Sequence, residues 1–146
     1  MPDGSKPDAP LLQDQLCFAL YATSRAFTKA YAELLSDLGV TYPQYLTLLV
    51  LWQHGDLGVQ QIAEKLEIEG ATATPMIKRM EALGLVTRTR SKADERSVVV
   101  SLTNAGQALR EKASDIPERL GCLVNVGGDQ AQKLIKELNA IRLGIS

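Results

Sequence analysis

Cysteine and histidine are scarce in this chain, and their scarcity removes whole classes of chemistry. Of its 146 residues two are cysteines, Cys17 and Cys122, and one is a histidine, His54. The cysteines stand far apart in the sequence, so there is no CxxC redox pair and no zinc-ligand cluster. His54 precedes Gly55 in a turn-like stretch and reads as a solvated loop residue. Metal sensing and His-dependent nucleophilic catalysis both lose their ligands, and neither a metal nor a cofactor is expected. Long apolar runs are missing as well: none approaches the roughly 20 residues that cross a bilayer. The opening MPDGSKPDAP lacks the apolar centre of a signal peptide. Residues 1–10 read as a disordered arm, and a cytoplasmic protein with no membrane partner is expected. Nor is there an excess of positive charge, since the formal net charge is −1. That argues against a protein that coats nucleic acid without selection.

The charge that is present is segregated. Residues 1–70 carry a local −5, whereas residues 78–96 carry +3, with six bases (Lys78, Arg79, Arg88, Arg90, Lys92, Arg96) against three acids (Glu81, Asp94, Glu95). The basic stretch follows a recognisable pattern. Val59, Ile62, Ala63 and Leu66 are spaced for one face of a short helix. Ile68, Glu69 and Gly70 interrupt it, and a second helix is expected over 71–83, with Met76, Ile77, Met80 and Leu83 facing inward and Gly84 as its C-cap. Thr72, Thr74, Lys78 and Arg79 fall outside that face. Two helices about a tight turn, with hydroxyls near the start of the second and bases later, form the helix-turn-helix pattern whose second helix enters the major groove. Hydroxyls suit base edges and phosphates alike, and the bases suit phosphates. The β-branched runs 85–90 and 96–102 then form a hairpin, here a wing. The fold expected is mainly α with a small β-hairpin wing, a winged helix-turn-helix over about 42–102 within one domain over 11–146.

The remaining segments are helical. Leu12, Leu16, Leu20, Phe27, Tyr31, Leu34 and Leu38 make one long stripe over 11–38, beside a second formed by Cys17, Tyr21, Ser24, Thr28 and Tyr31. A helix that long exceeds what a winged helix covers, so part of its stripe is expected against a partner chain. Thr41 and Gln44 form a T-x-x-Q capping box for a very apolar helix that places Tyr42 at its N-terminus. Thr103 caps a helix expected to run toward Leu120, with Pro117 in its last turns. Gly121, Asn125, Gly127 and Gly128 make the surroundings of Cys122 a poor helix. Asp129 opens a final helix with the stripe Ala131, Leu134, Leu138, Ile141 and Ile145. Helices over 11–38 and 103–146 are the expected dimer interface. On periodicity alone, Cys17, Tyr21 and Tyr31 are read at least as well as ordinary amphipathic core residues.

In this order of elements the chain resembles the MarR family of dimeric winged-helix repressors, from about residue 11 to the end. The wing sequence Ala93-Asp94-Glu95-Arg96 matches the family's D-x-R tip, which implies that Arg96 reaches the minor groove and Asp94 holds it. The segments 16–21 (LCFALY), 41–45 (TYPQY) and 71–75 (ATATP) are similar to those of the organic-hydroperoxide-sensing OhrR branch of that family. That resemblance implies a peroxide-reactive Cys17, with Tyr31 and Tyr42 as its hydrogen-bond partners and Phe18 and Tyr21 as pocket residues. It also implies that Cys122 is a resolving cysteine forming a disulfide between subunits. The partners implied are double-stranded DNA with a palindromic operator, a second copy of the chain, and organic hydroperoxides as oxidant. Gly70 departs from the pattern, standing where relatives often have a serine. Along one rigid helix Cys17 and Tyr31 would lie roughly 21 Å apart, so a Tyr31 that serves Cys17 has to come from the other protomer. Three other functions compete with this reading. One is a regulator that releases DNA on binding a phenolic or other small ligand, one is a thiol peroxidase, and one is a winged helix used for protein contacts.

Overall fold

The computed structural model describes Gly4, residues 9–93 and residues 97–145. Most of the expected N-terminal arm and the wing-tip residues Asp94 and Arg96 lie outside the described residues. The elements run α1 (Leu16–Leu35), α2 (Tyr42–His54), β1 (Leu57–Gly58), α3 (Val59–Leu66), α4 (Gly70–Ala82), β2 (Val86–Arg90), β3 (Val98–Leu102), α5 (Asn104–Lys112), α6 (Ile116–Val124) and α7 (Gly128–Gly144). The strands form one antiparallel sheet in the order β1-β3-β2, with Arg88 opposite Val100. The expected hairpin is present, and β1 adds a third strand that a two-residue segment could not announce by periodicity.

Two apolar clusters hold the chain. The first joins α2, α3, α4 and the sheet through Leu48, Leu51, Ile62, Ile77, Met80 and Val100, all essentially without exposure. The second joins α1 and α2 to α6 through Leu34, Leu35, Tyr45 and Ile116. Val40 and Trp52 pack against both, so α2 is the central helix that its apolar sequence requires. Thr41 caps that helix reciprocally with Gln44, at 3.0 and 3.4 Å. Gly106 lies where a Cβ would collide with the Leu85 carbonyl oxygen, and its own carbonyl accepts from Trp52 Nε1 at 3.1 Å. Close approach of α5 to the turn before β2 therefore depends on this glycine.

Several boundaries differ from those read in the sequence, each for a physical reason. The first helix is not continuous from Leu11 to Leu38: a 3-10 turn over Leu12–Asp14 is separated from α1 by extended Gln15, and a second 3-10 turn follows α1. No residue of that first turn is buried among the described residues. Leu83 is 54% exposed, not inward-facing, because α4 stops at Ala82 and the chain turns through left-handed Gly84, which puts Leu85 into the core instead. The helix after the wing does not reach Leu120. It ends at Lys112, and Pro117, which cannot supply a mid-helix N–H, sits in the first turn of the separate helix α6. Cys122 consequently lies inside a regular helix, contrary to the poor helix expected around it; the helix ends after it at left-handed Asn125. Ile145 is beyond the end of α7, in extended conformation.

Candidate functional site

The residues expected to face DNA lie on α4 and the sheet. Burial of Ala73, Met76, Ile77 and Met80 turns the opposite face of α4 to solvent, leaving Thr72, Lys78 and Arg79 exposed. Neither base has an ion-pair partner among the described residues. Thr74 is half-buried, and its hydroxyl donates back to the Gly70 carbonyl at 3.1 Å, so its proton is already used within the helix. Arg90 and Lys92 are exposed at the end of the hairpin. Arg88 is different. Its backbone N–H donates to Glu81 Oε2 at 2.9 Å, and its guanidinium lies 3.2–3.3 Å from Oε1 of the same carboxylate. Glu81 thereby clamps the wing to the recognition helix, an anchoring role that charge counting assigned to neither residue. Gly70 opens α4, and Oε1 of Gln60 occupies the space beside it, 2.9 Å from where a Cβ would be. A flexible carboxamide thus fills the place next to Gly70.

Cys17 and Tyr31 stand near opposite ends of α1. Cys17 is exposed at the second position of the helix, flanked by exposed Phe18 and, one turn on, exposed Tyr21. Arg25, which the sequence patterns did not single out, donates from Nη1 to the Tyr21 oxygen at 3.2 Å and lies over its ring, 5.6 Å from the centroid. Near the other end Tyr31 packs on Tyr42 at 4.5 Å between ring centroids and on Tyr45 at 5.8 Å. Tyr45, the third member, is buried on α2. Loss of solvation, and then repulsion from neighbouring phenolates, pushes the Tyr31 phenol up to about 12. Burial raises Tyr42 and Tyr45 as well. All three rings are neutral O–H donors across the physiological range.

Cys122 is exposed on α6 and lines a shallow groove with Glu33 and Leu34, which belong to the tyrosine end of α1. Within one chain, Cys122 and the Tyr31–Tyr42 pair are therefore gathered at one end, and Cys17 is at the other. Cys17 and Glu33 are separated by roughly 24 Å of helix, against the ~7 Å limit between Cα atoms of a disulfide. This conformation does not allow an intrachain bond. Between α1, α6 and α7 runs an open apolar groove of about 1000 Å³, lined by residues such as Leu20, Phe27, Leu120, Val124, Leu134 and Leu138. No helix is long and apolar enough to cross a membrane, and no group of three or more potential metal ligands occurs, among the described residues.

The MarR family model matches residues 40–98, the span from the start of α2 into the wing. The organic hydroperoxide resistance transcriptional regulator of Bacillus subtilis (strain 168) is 51% identical over 130 residues, covering 89% of this chain and 88% of its own length. Among solved structures, reduced AbfR bound to DNA superposes with a TM-score of 0.75 at 34% identity, over 89% of this chain and 91% of that one. Disulfide-formed AbfR superposes with a TM-score of 0.64 at 33% identity, over 89% and 88% of the two chains. AbfR has been solved from Staphylococcus epidermidis.

Proposed function

This chain belongs to the MarR family of DNA-binding transcriptional regulators, and on that footing we propose that it is a homodimeric repressor switched by organic hydroperoxides through Cys17. The observation that carries the reading is the separation of its redox groups along α1. One chain gathers the resolving thiol and the phenols at one end of α1 and leaves the other thiol 14 or more residues away at the opposite end. A second chain laid antiparallel across the first completes two identical sites, each with Cys17 from one protomer and Tyr31, Tyr42 and Cys122 from its partner. The open apolar groove and the bare α7 face supply the surface for such a pairing.

Chemistry follows from those groups. A free thiol with pKa near ~8.5 is only about 3% thiolate at pH 7, and phenol O–H donors favour the ionised form. The Cys17 thiolate attacks the distal oxygen of ROOH, the O–O bond breaks, and ROH leaves after protonation. Cys17 is left as a sulfenic acid, oxidised by two electrons. The Cys122 thiol of the partner then displaces hydroxide as water, forming one S–S bond. Closing that bond pulls α1 of one protomer toward α6 of the other, and the two α4 helices lose the ~34 Å spacing of successive major grooves. The likeness to the Bacillus subtilis hydroperoxide regulator and to AbfR, solved reduced on DNA and in disulfide form, supports this reading. On DNA, Thr72, Lys78 and Arg79 meet the major groove, with Arg90, Lys92 and Arg96 on flanking backbone or minor groove.

Non-reducing electrophoresis after one equivalent of cumene hydroperoxide tests the proposal. A covalent dimer of about twice 15.9 kDa is expected, absent in Cys17→Ser and in Cys122→Ser. Cys17→Ser should keep operator binding and lose all release by peroxide. Release that persists in Cys17→Ser would instead favour a small apolar ligand in the 1000 Å³ groove, the one feature that speaks for a ligand-responsive regulator.

A further inference from the structure

Two ion pairs occur among the described residues, and both touch the helix-turn-helix. One is the Glu81 clamp on the wing. The other crosses from the end of the chain to its middle: Arg142 Nε on α7 lies 3.0 Å from both carboxylate oxygens of Glu67. Arg142 is itself held from behind, its Nη2 donating to Asn139 Oδ1 at 2.8 Å. Glu67 occupies the turn between α3 and α4 in the left-handed region, φ 56 and ψ 43. A glutamate is poorly suited to that conformation, and glycine or asparagine would be the unstrained choice. The backbone therefore offers no reason for a glutamate at this position, whereas the side chain has one: it reaches α7.

The mechanical consequence is specific. Helix α7 buries none of its residues within the chain, so it has few other ways to feel the DNA-reading elements. Glu67 is followed by Ile68, which packs on the core and whose N–H bonds to the Ala63 carbonyl at 3.0 Å, and then by Glu69 and the first residue of α4. A tie at residue 67 holds the head of the recognition helix. An exposed pair of this kind adds little stability, but it fixes a direction and a distance between two elements.

We propose that Arg142 and Glu67 form a strut that sets the position of the recognition helix relative to the dimerisation helix α7, and so the spacing at which two half-sites are read. They are positioning residues and do not touch DNA. The inference rests on the dimeric repressor reading above. Its test uses the full-length reduced protein and the palindrome that the wild type selects from random duplex DNA. Affinity is measured for that palindrome and for versions with one base pair inserted or removed at the dyad.

Arg142→Ala should weaken binding to the palindrome about three- to fivefold, the upper range for an exposed pair, and should shrink the penalty for altered spacing. The difference from wild type should fade at high salt, as the pair is screened. Glu67→Gly should do the same while its melting temperature holds or rises, because glycine accepts the left-handed turn. The exchange Glu67→Arg with Arg142→Glu should restore both affinity and spacing penalty. Single variants that match the wild type in affinity and in spacing penalty would overturn the strut. So would an Arg142→Ala loss that Glu67→Gly does not reproduce, since that is the signature of an arginine contacting phosphate directly. A wild type that selects no sequence at all would remove the repressor reading itself, and the strut with it.

Discussion

The helix-turn-helix half of the molecule and the half made by α1, α6 and α7 are built to opposite standards of completeness. Around α2, α3, α4 and the sheet, Leu48, Ile62, Ala63, Ala73, Ile77, Met80 and Val100 have no measurable exposure. Along α7 no residue is buried, and Leu134, Ile135, Leu138 and Ile141 are at least 39% exposed. A chain that packs one core to closure and leaves an apolar helix bare a few turns away is not short of apolar residues. It reserves them. Apolar patches of this extent on an isolated chain mark an interaction surface, and the second copy proposed above is the partner that completes the redox sites as well.

The comparison can be broken most severely at the bare face. Ile135→Asp puts a charge into the groove without touching the closed core. It should abolish dimerisation and reduce operator affinity by at least about 30-fold, the loss expected for a buried interface anchor. Sedimentation and fluorescence anisotropy would measure the two effects, and amide exchange should show α3 and α4 still protected. Loss of that protection would mean that the two halves do not differ as described.

A change on the closed side should have the reverse character. Ile77→Ala removes a fully buried side chain from the larger core cluster, and should cost about 2–5 kcal/mol in denaturant unfolding while the dimer interface keeps its surface. An effect below about 1 kcal/mol would place Ile77 in a looser setting than its burial indicates.

The smallest effect expected is at the Tyr31–Tyr42–Tyr45 cluster, where the two halves meet. These phenols have folded pKa values raised above the ordinary value of 10.0, Tyr31 to about 12. The unfolded chain therefore releases these protons first. Their contribution to stability is complete below pH 10 and declines as pH rises from about 10 toward 12. Absorbance at 295 nm should show phenolate appearing late in the native protein and earlier in denaturant; coincident titrations would remove the packed cluster.

Much of the fold was legible because it rests on local chemistry. The Thr41–Gln44 box, the apolar spacing of Val59 to Leu66 and the β-branched runs of the wing act within a few residues, and each formed where the sequence indicated. Leu83 was misplaced because α4 ends one residue earlier than read, and a one-residue shift in a helix rotates a side chain by about 100°; Pro117 was misplaced because α5 ends at Lys112 and a new helix starts at Ile116. Whether Leu83 or Leu85 enters the core is decided by the turn at Gly84, not by periodicity.

The sequence by itself determined that a helix-turn-helix with a basic wing would form and that Cys17 and Tyr31 could not meet on one helix. Those conclusions depend on spacing and on residue inventory, which a linear string contains. Only the tertiary structure decided that Cys122 stands at the tyrosine end of α1, that Glu81 holds Arg88 back from full exposure, that Tyr45 joins the phenol cluster, and that Arg142 reaches Glu67. Each of these joins residues from different elements. Such pairs are set by how helices cross and how closely Gly106 lets α5 approach the sheet, and crossing geometry follows from the packed whole.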